Sequence, residues 1–276
     1  KLCEKLEKQG CEVTWLGVNE QGGLDLDELR NALRPDTAVV SIMTANNQTG
    51  VIFPVAEAAA IVKEHSDALF HTDGVNSAGK MPIDLKTTRI DMMSISGHKF
   101  YAPKGIGALY IRDGVRLPSL LIGGGQESGR RAGTEAAHQI AGLGAAAALV
   151  MDITSHERIG ALRDRLESGI LASIPNASVN GGGNRLPNVT NISFENTNGE
   201  MIMHALDEIG VCVSTGSACS DAHRKASGVL AAMNVPYSRA MGAIRFSLGR
   251  HNTEAEVEYV LEKLPAIVER LHAMAV

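Results

Sequence analysis

Short apolar runs alternate with amphipathic segments of about ten residues through Ile111, and the texture changes to a regular charged helix near residue 156. This alternation predicts an α/β chain whose large unit, 1–155, is built on a mostly parallel sheet with helices on both faces. A smaller α+β unit, 156–276, follows it. With 276 residues, 44% of them hydrophobic, the chain can bury a sizeable core in one large or two medium units. A formal charge of −5 supplies no basic surface for nucleic acid. No apolar stretch approaches the roughly 18 residues of a membrane span, and the run 140–151 reads as a core helix, so no membrane partner is expected.

The elements follow in order. Residues 1–10 (KLCEKLEKQG) read as an amphipathic helix, with Leu2 and Leu6 four apart and Gly10 as its stop. It starts without an initiator methionine or a cap, as expected of a fragment. A short strand is expected over 11–16 and a helix over 24–33, with Asp25 near its start and Pro35 beyond its end. The continuous apolar run 38–43 (AVVSIM) predicts a strand covered on both faces, and 55–65 the next helix. Strands are expected over 68–72, 90–95 and 106–111, the last across a glycine-rich turn. Residues 134–151 predict a buried, alanine-rich helix, and 159–174 a helix with Ile159, Leu162, Leu166 and Ile170 on one face. A polar glycine-rich turn region (176–188), a strand (189–194), a helix (201–208), a short strand (211–214), a strand (243–247) and a helix (253–272) complete the chain.

Polar groups gather at three consecutive strand ends: Asn46-Asn47 after AVVSIM, His71 and Asp73 after ALF, and Ser96-Gly97-His98-Lys99 after MMSI. In a parallel sheet such ends converge on one site. Lys99 sits among apolar neighbours, which lower an amine's pKa and suit it to Schiff-base chemistry. The competing reading is a lysine snorkelling from a strand end. The glycine-rich, basic stretch 121–134 offers backbone N–H groups, Arg131 and the Thr134 hydroxyl to an anion, or is simply a connection; it matches no Walker or GxGxxG order. Cys219, in a small-residue loop flanked by serines, is a reachable thiol, whereas Cys212, inside VCV, is expected to pack as a small hydrophobe and Cys3 and Cys11 to be structural. Four cysteines without a CxxC pair favour a reducing compartment. Arg245, between Ile244 and Phe246, needs either a buried partner or a ligand carboxylate. His71, Asp73, His98, Cys219 and His223 match no zinc spacing, so no metal is expected.

Six segments together resemble the cysteine desulfurases of the nitrogen-fixation type, within the fold-type I, class V aminotransferase superfamily: ANNQTG (45–50), HTDGVNSAGK (71–80), SGHKFYAPKGIGALY (96–110), RRAGT (130–134), STGSACSD (214–221) and AIRFSLGR (243–250). The resemblance implies pyridoxal 5′-phosphate as cofactor. It makes Lys99 the lysine joined to the cofactor aldehyde and assigns Ser96 and His98 to the cofactor phosphate. Thr134 would reach the phosphate of a neighbouring subunit in a homodimer. Asp73 would pair with the pyridine nitrogen, Asn47 lie beside the ring and the substrate carboxylate, Arg245 anchor that carboxylate, and Cys219 be the mobile nucleophile that takes sulfur from L-cysteine. The implied function is conversion of L-cysteine to L-alanine with a persulfide on Cys219, supplying an iron-sulfur cluster scaffold protein in the cytoplasm. Selenocysteine lyase or aminotransferase activity on the same scaffold, and a noncatalytic fragment that binds a scaffold protein, are the alternatives. Asn76 stands where many relatives place a glutamine near the ring hydroxyl, and Gln48 where a glutamate is common. Relatives also carry a phosphate loop and a ring-stacking histidine before the point where this chain begins, so about 100 residues are expected to be missing at the amino end.

Overall fold

The computed structural model describes residues 1–216 and 227–275. Helix α1 (Leu2–Glu7) ends where Gly10 adopts φ +92°, a left-handed conformation that glycine enters without a Cβ penalty. Residues 11–16 form no strand; they run as irregular chain toward α2 (Leu26–Ala32), because they find no neighbouring backbone to pair with. Helix α2 is capped as its sequence suggests, the Asp25 side chain accepting from the backbone N–H groups of Asp27 and Glu28.

The first sheet has the order β1 (Val39–Met43), β2 (Leu69–Asp73), β3 (Met92–Ser96), β4 (Gly107–Ile111). The first three strands are parallel, with α3 (Val55–His65) crossing between β1 and β2, whereas β4 returns antiparallel to β3. The reversal depends on a close approach at Gly107, where a Cβ would stand 2.6 Å from the Ile95 carbonyl oxygen. Phe70 and Ile42 pack beneath Leu29 of α2 and Val55, Ala58, Ala59 and Val62 of α3. The opposite face is not sealed as the apolar run 38–43 suggests: Val39 and Met43 are 53% and 39% exposed. A continuous apolar run signals burial on both faces only if something covers both, and periodicity alone does not report that.

Helix α4 (Ala137–Leu149) also departs from expectation. Leu143 and Ala146 meet Phe100 and Ala102, but Ala146 is its one buried residue. Helix α5 (Thr154–Ser173) begins the second unit, followed by β5 (Ala177–Val179), β6 (Val189–Phe194), α6 (Gly199–Asp207), β7 (Ser214–Thr215), α7 (Gly228–Ala232), α8 (Tyr237–Ala240), β8 (Ala243–Ser247) and α9 (Glu254–Ala275). Its sheet is antiparallel in the order β5-β6-β8-β7. Ile192, Phe194, Ile244 and Phe246 face the stripe Ile159, Leu162, Leu166 and Ile170 of α5 and Val257, Val260, Leu264 and Val268 of α9. On the other side of β6, Val189 packs with Ala45 and Leu186, joining the two sheets. Cys212 is exposed and not packed, since its neighbours Val211 and Val213 take the core-facing side. No single described helix is long and apolar enough to cross a membrane.

Candidate active site

The parallel strands end side by side, as the sequence suggests. Met43 pairs with Asp73 and Asp73 with Ser94, so the residues leaving β1, β2 and β3 share one rim. On leaving β1, the Asn46 side chain accepts from the backbone N–H groups of Gln48 (2.8 Å) and Thr49 (3.1 Å), which folds the turn and leaves Asn47 exposed. The Asn47 carbonyl accepts from Arg245 Nη1 at 3.1 Å, and this brings β8 of the second unit to the rim. Asp73 is exposed at the end of β2, its carboxylate accepting from the Val75 N–H at 2.9 Å, and half-buried Asn76 follows in the same turn.

Beyond β3 the chain tightens into a 3-10 turn, Gly97–Phe100. Ser96 Oγ and His98 Nδ1 lie 2.8 Å apart, Phe100 is buried, and His98 and Lys99 are exposed. Of the apolar neighbours of Lys99 in the sequence, Met92, Met93 and Phe100 are buried, whereas Lys99 itself is exposed. The turn closes at Tyr101 with φ +75°, and the Tyr101 hydroxyl accepts from the Arg250 N–H at 2.9 Å, fastening the lysine turn to the second unit. Next to the rim, His71 spans Ser41 on β1 (2.8 Å) and Ser94 on β3 (2.9 Å). Burial holds its imidazole below the ordinary value against the opposing pull of Asp73.

A cavity of about 280 Å³ lies beside the lysine turn, lined by Lys80, His98, Lys99, Tyr101, His156 and Arg250 among others. Lys80 closes the HTDGVNSAGK stretch, and no role follows from its position in the sequence. Its pKa is brought down to about 8 by burial first and then by the charges of Lys99 and Arg245. Thr134 stands apart from this cluster on an exposed loop. Cys219, the expected sulfur acceptor, lies outside the described residues.

The donor set fits pyridoxal phosphate. An accessible amine is available to an aldehyde, a carboxylate one strand away to a ring N–H, and a hydroxyl–imidazole pair to a phosphate.

The sequence profile of the class-V aminotransferases matches residues 2–260. Cysteine desulfurase 2 of Trichormus variabilis is 52% identical over 276 residues, covering 99% of this chain and 69% of that protein. Cysteine desulfurase NifS of Azotobacter vinelandii is 48% identical, covering 98% and 68%. Among solved structures, a NifS-like protein superposes with a TM-score of 0.90 at 37% identity over 98% of this chain and 71% of its own. The structure described as SspA in complex with cysteine gives 0.77 at 34% identity, over 91% and 70%. The profile match begins at residue 2 and so does not support the expected loss of about 100 amino-terminal residues; the chain spans 69% of the length of the Trichormus variabilis relative. Fold, rim geometry and profile together show that this chain belongs to the class-V aminotransferase family.

Proposed function

We propose that the protein is a pyridoxal-phosphate-dependent cysteine desulfurase that converts L-cysteine to L-alanine, leaves a persulfide on Cys219 and supplies sulfur to an iron-sulfur scaffold protein. The observation that carries this reading is the rim itself: Asn47, Asp73 and the Ser96-His98-Lys99 turn at adjacent strand ends, with Arg245 drawn to it by the Asn47 carbonyl. The names of the relatives support it.

Bound at this rim, pyridoxal phosphate would supply an electron sink for the substrate's carbon framework. The Asp73 carboxylate would hold a proton on the ring nitrogen. Ser96 and His98 would hold the phosphate, and Asn76 would serve the ring hydroxyl. Lys99 would hold the cofactor aldehyde and, as a free amine, would move protons at the substrate's Cα. Arg245 and Asn47 orient the carboxylate. The Cys219 thiolate attacks the substrate sulfur; an S–S bond forms, the Cβ–S bond breaks with its electron pair going to Cβ, and Cβ takes a proton. Cysteine thereby becomes alanine and Cys219 a persulfide, so the atoms balance.

The division into a cofactor-binding part, 1–155, and a smaller part, 156–276, carrying Cys219 belongs to the same reading. Two sheets that share no strand support it. A homodimer in which Thr134 meets the phosphate of the neighbouring subunit is supported by the loop before it: Leu120 and Ile122 are 93% and 90% exposed, and Leu121 between them accepts from the Ala132 N–H. Free thiols at Cys3, Cys11 and Cys212 support a reducing, cytoplasmic location.

The test compares the holoenzyme with Cys219→Ala. Wild type should release one alanine per cysteine consumed, and Cys219→Ala should keep the cofactor's visible spectrum while losing turnover. Undiminished cysteine turnover in Cys219→Ala would overturn the persulfide mechanism.

A further inference from the structure

Gln48 lies one residue beyond Asn47, and its side chain leaves the rim for the second unit. Its Nε2 donates to the Gly216 carbonyl at 3.1 Å, and its Oε1 accepts from the Ser227 hydroxyl. These two partners are the residues immediately before and after 217–226. One amide therefore holds both ends of a ten-residue stretch that contains Cys219, across sequence separations of 168 and 179.

The chemistry of the contact is specific to an amide. Ser227 Oγ already accepts from the N–H groups of Val229 (3.2 Å) and Leu230 (3.4 Å) at the start of α7, so its remaining capacity is to donate. Gln48 must present oxygen to Ser227 and nitrogen to Gly216, which fixes the amide's orientation. A carboxylate at position 48 still accepts from Ser227 but has no proton for the Gly216 carbonyl and sets two acceptors against each other. The packing is close as well: a Cβ on Gly216 would stand 2.7 Å from Gln48 Oε1 and 3.1 Å from Ser227 Cβ. The base of Gln48 is held in turn, its backbone N–H donating to Asn46 Oδ1 at 2.8 Å.

The geometry points to Gln48 as a positioning residue that ties the two anchor points of the Cys219 segment to the turn presenting Asn47. Its amide is taken up by Gly216 and Ser227, and it sets the reference point from which the thiol works. This inference rests on the reading of Cys219 as the sulfur-accepting thiol.

The test uses the holoenzyme and two variants, Gln48→Glu and Gln48→Ala, with the cofactor's visible spectrum as the control for an intact site. Two readouts are taken at pH 8: kcat and KM for L-cysteine, and the rate of Cys219 alkylation by iodoacetamide, followed by peptide mass. Losing a hydrogen bond of this kind changes an equilibrium about fivefold. The expected result is a kcat lowered about fivefold or more with KM within about twofold, and Cys219 alkylated about threefold faster or more, because its anchors are released. Alkylation at the wild-type rate in both variants, whatever the activity does, overturns the proposal. The failure of the desulfurase reading is separate: it appears as turnover retained in Cys219→Ala, while alkylation still reports on Gln48.

Discussion

Replacing Lys80 by Met isolates the cost of keeping an amine beside Lys99 and Arg245. Burial and the two neighbouring cations bring the Lys80 pKa from 10.5 down to about 8, and no acidic partner offsets them among the causes of that shift. A depression of this size corresponds to a cost of about 3 kcal/mol for the charged form at neutral pH, or about half that once residual solvent contact is allowed for. The sign follows from proton counts. Between pH 8 and 10.5 the unfolded chain holds a proton on Lys80 that the folded chain has released, so wild-type stability rises with pH through that window. Below it the cost is felt in full. Lys80→Met removes the charge and keeps much of the apolar stem, so the cofactor-free variant should be more stable than wild type by about 1.5–3 kcal/mol at pH 7. The difference should shrink steadily as the pH is raised past 8. Urea unfolding of both proteins at a series of pH values measures it. A variant less stable than wild type by an amount independent of pH would refute the reasoning, because the amine would then be making a favourable contact and not bearing a desolvation cost.

Two further predictions concern the second unit. Glu167 grips Arg185 through paired contacts of 2.8 and 2.9 Å and accepts from Thr190 Oγ1 at 2.6 Å. Burial pushes its carboxyl up, but Arg185, Thr190 and Arg163 together hold it below the ordinary range, so its contribution is present above the unfolded pKa and lost as pH falls through the folded one. Glu167→Gln should cost about 2 kcal/mol at pH 7, read as a lower urea midpoint; an unchanged midpoint would mean that the pair contributes nothing net. At Gly242 a Cβ would stand 2.0 Å from the Phe194 carbonyl oxygen and 2.7 Å from Thr197 Oγ1, so Gly242→Ala should destabilise by more than about 2 kcal/mol, and a thermal midpoint within a degree or so of wild type would refute the contact.

The sequence by itself determined the features that depend on neighbours along the chain. The helix 55–65 and the strands 189–194 and 243–247 appear with the expected bounds, since periodicity and local punctuation set them. The three polar strand ends were legible for the same reason: once the strands are parallel, their carboxyl ends must meet at one rim, and residues 45–47, 71–73 and 96–99 are carried there together.

Tertiary structure decided what depends on distant partners. Residues 11–16 carry a strand's composition but join no ladder among the described residues, and the run 106–111 gives no sign that it will return antiparallel. Burial along 134–151 was overestimated because an alanine-rich helix reads alike whether or not a surface meets it. At the site, sequence placed the apolar environment around Lys99, whereas the fold buries Met92, Met93 and Phe100, leaves Lys99 exposed and half-buries Lys80. Gln48 was legible only as an amide in a turn. Its two partners lie more than 160 residues away, and no local pattern encodes a hydrogen bond made across two units.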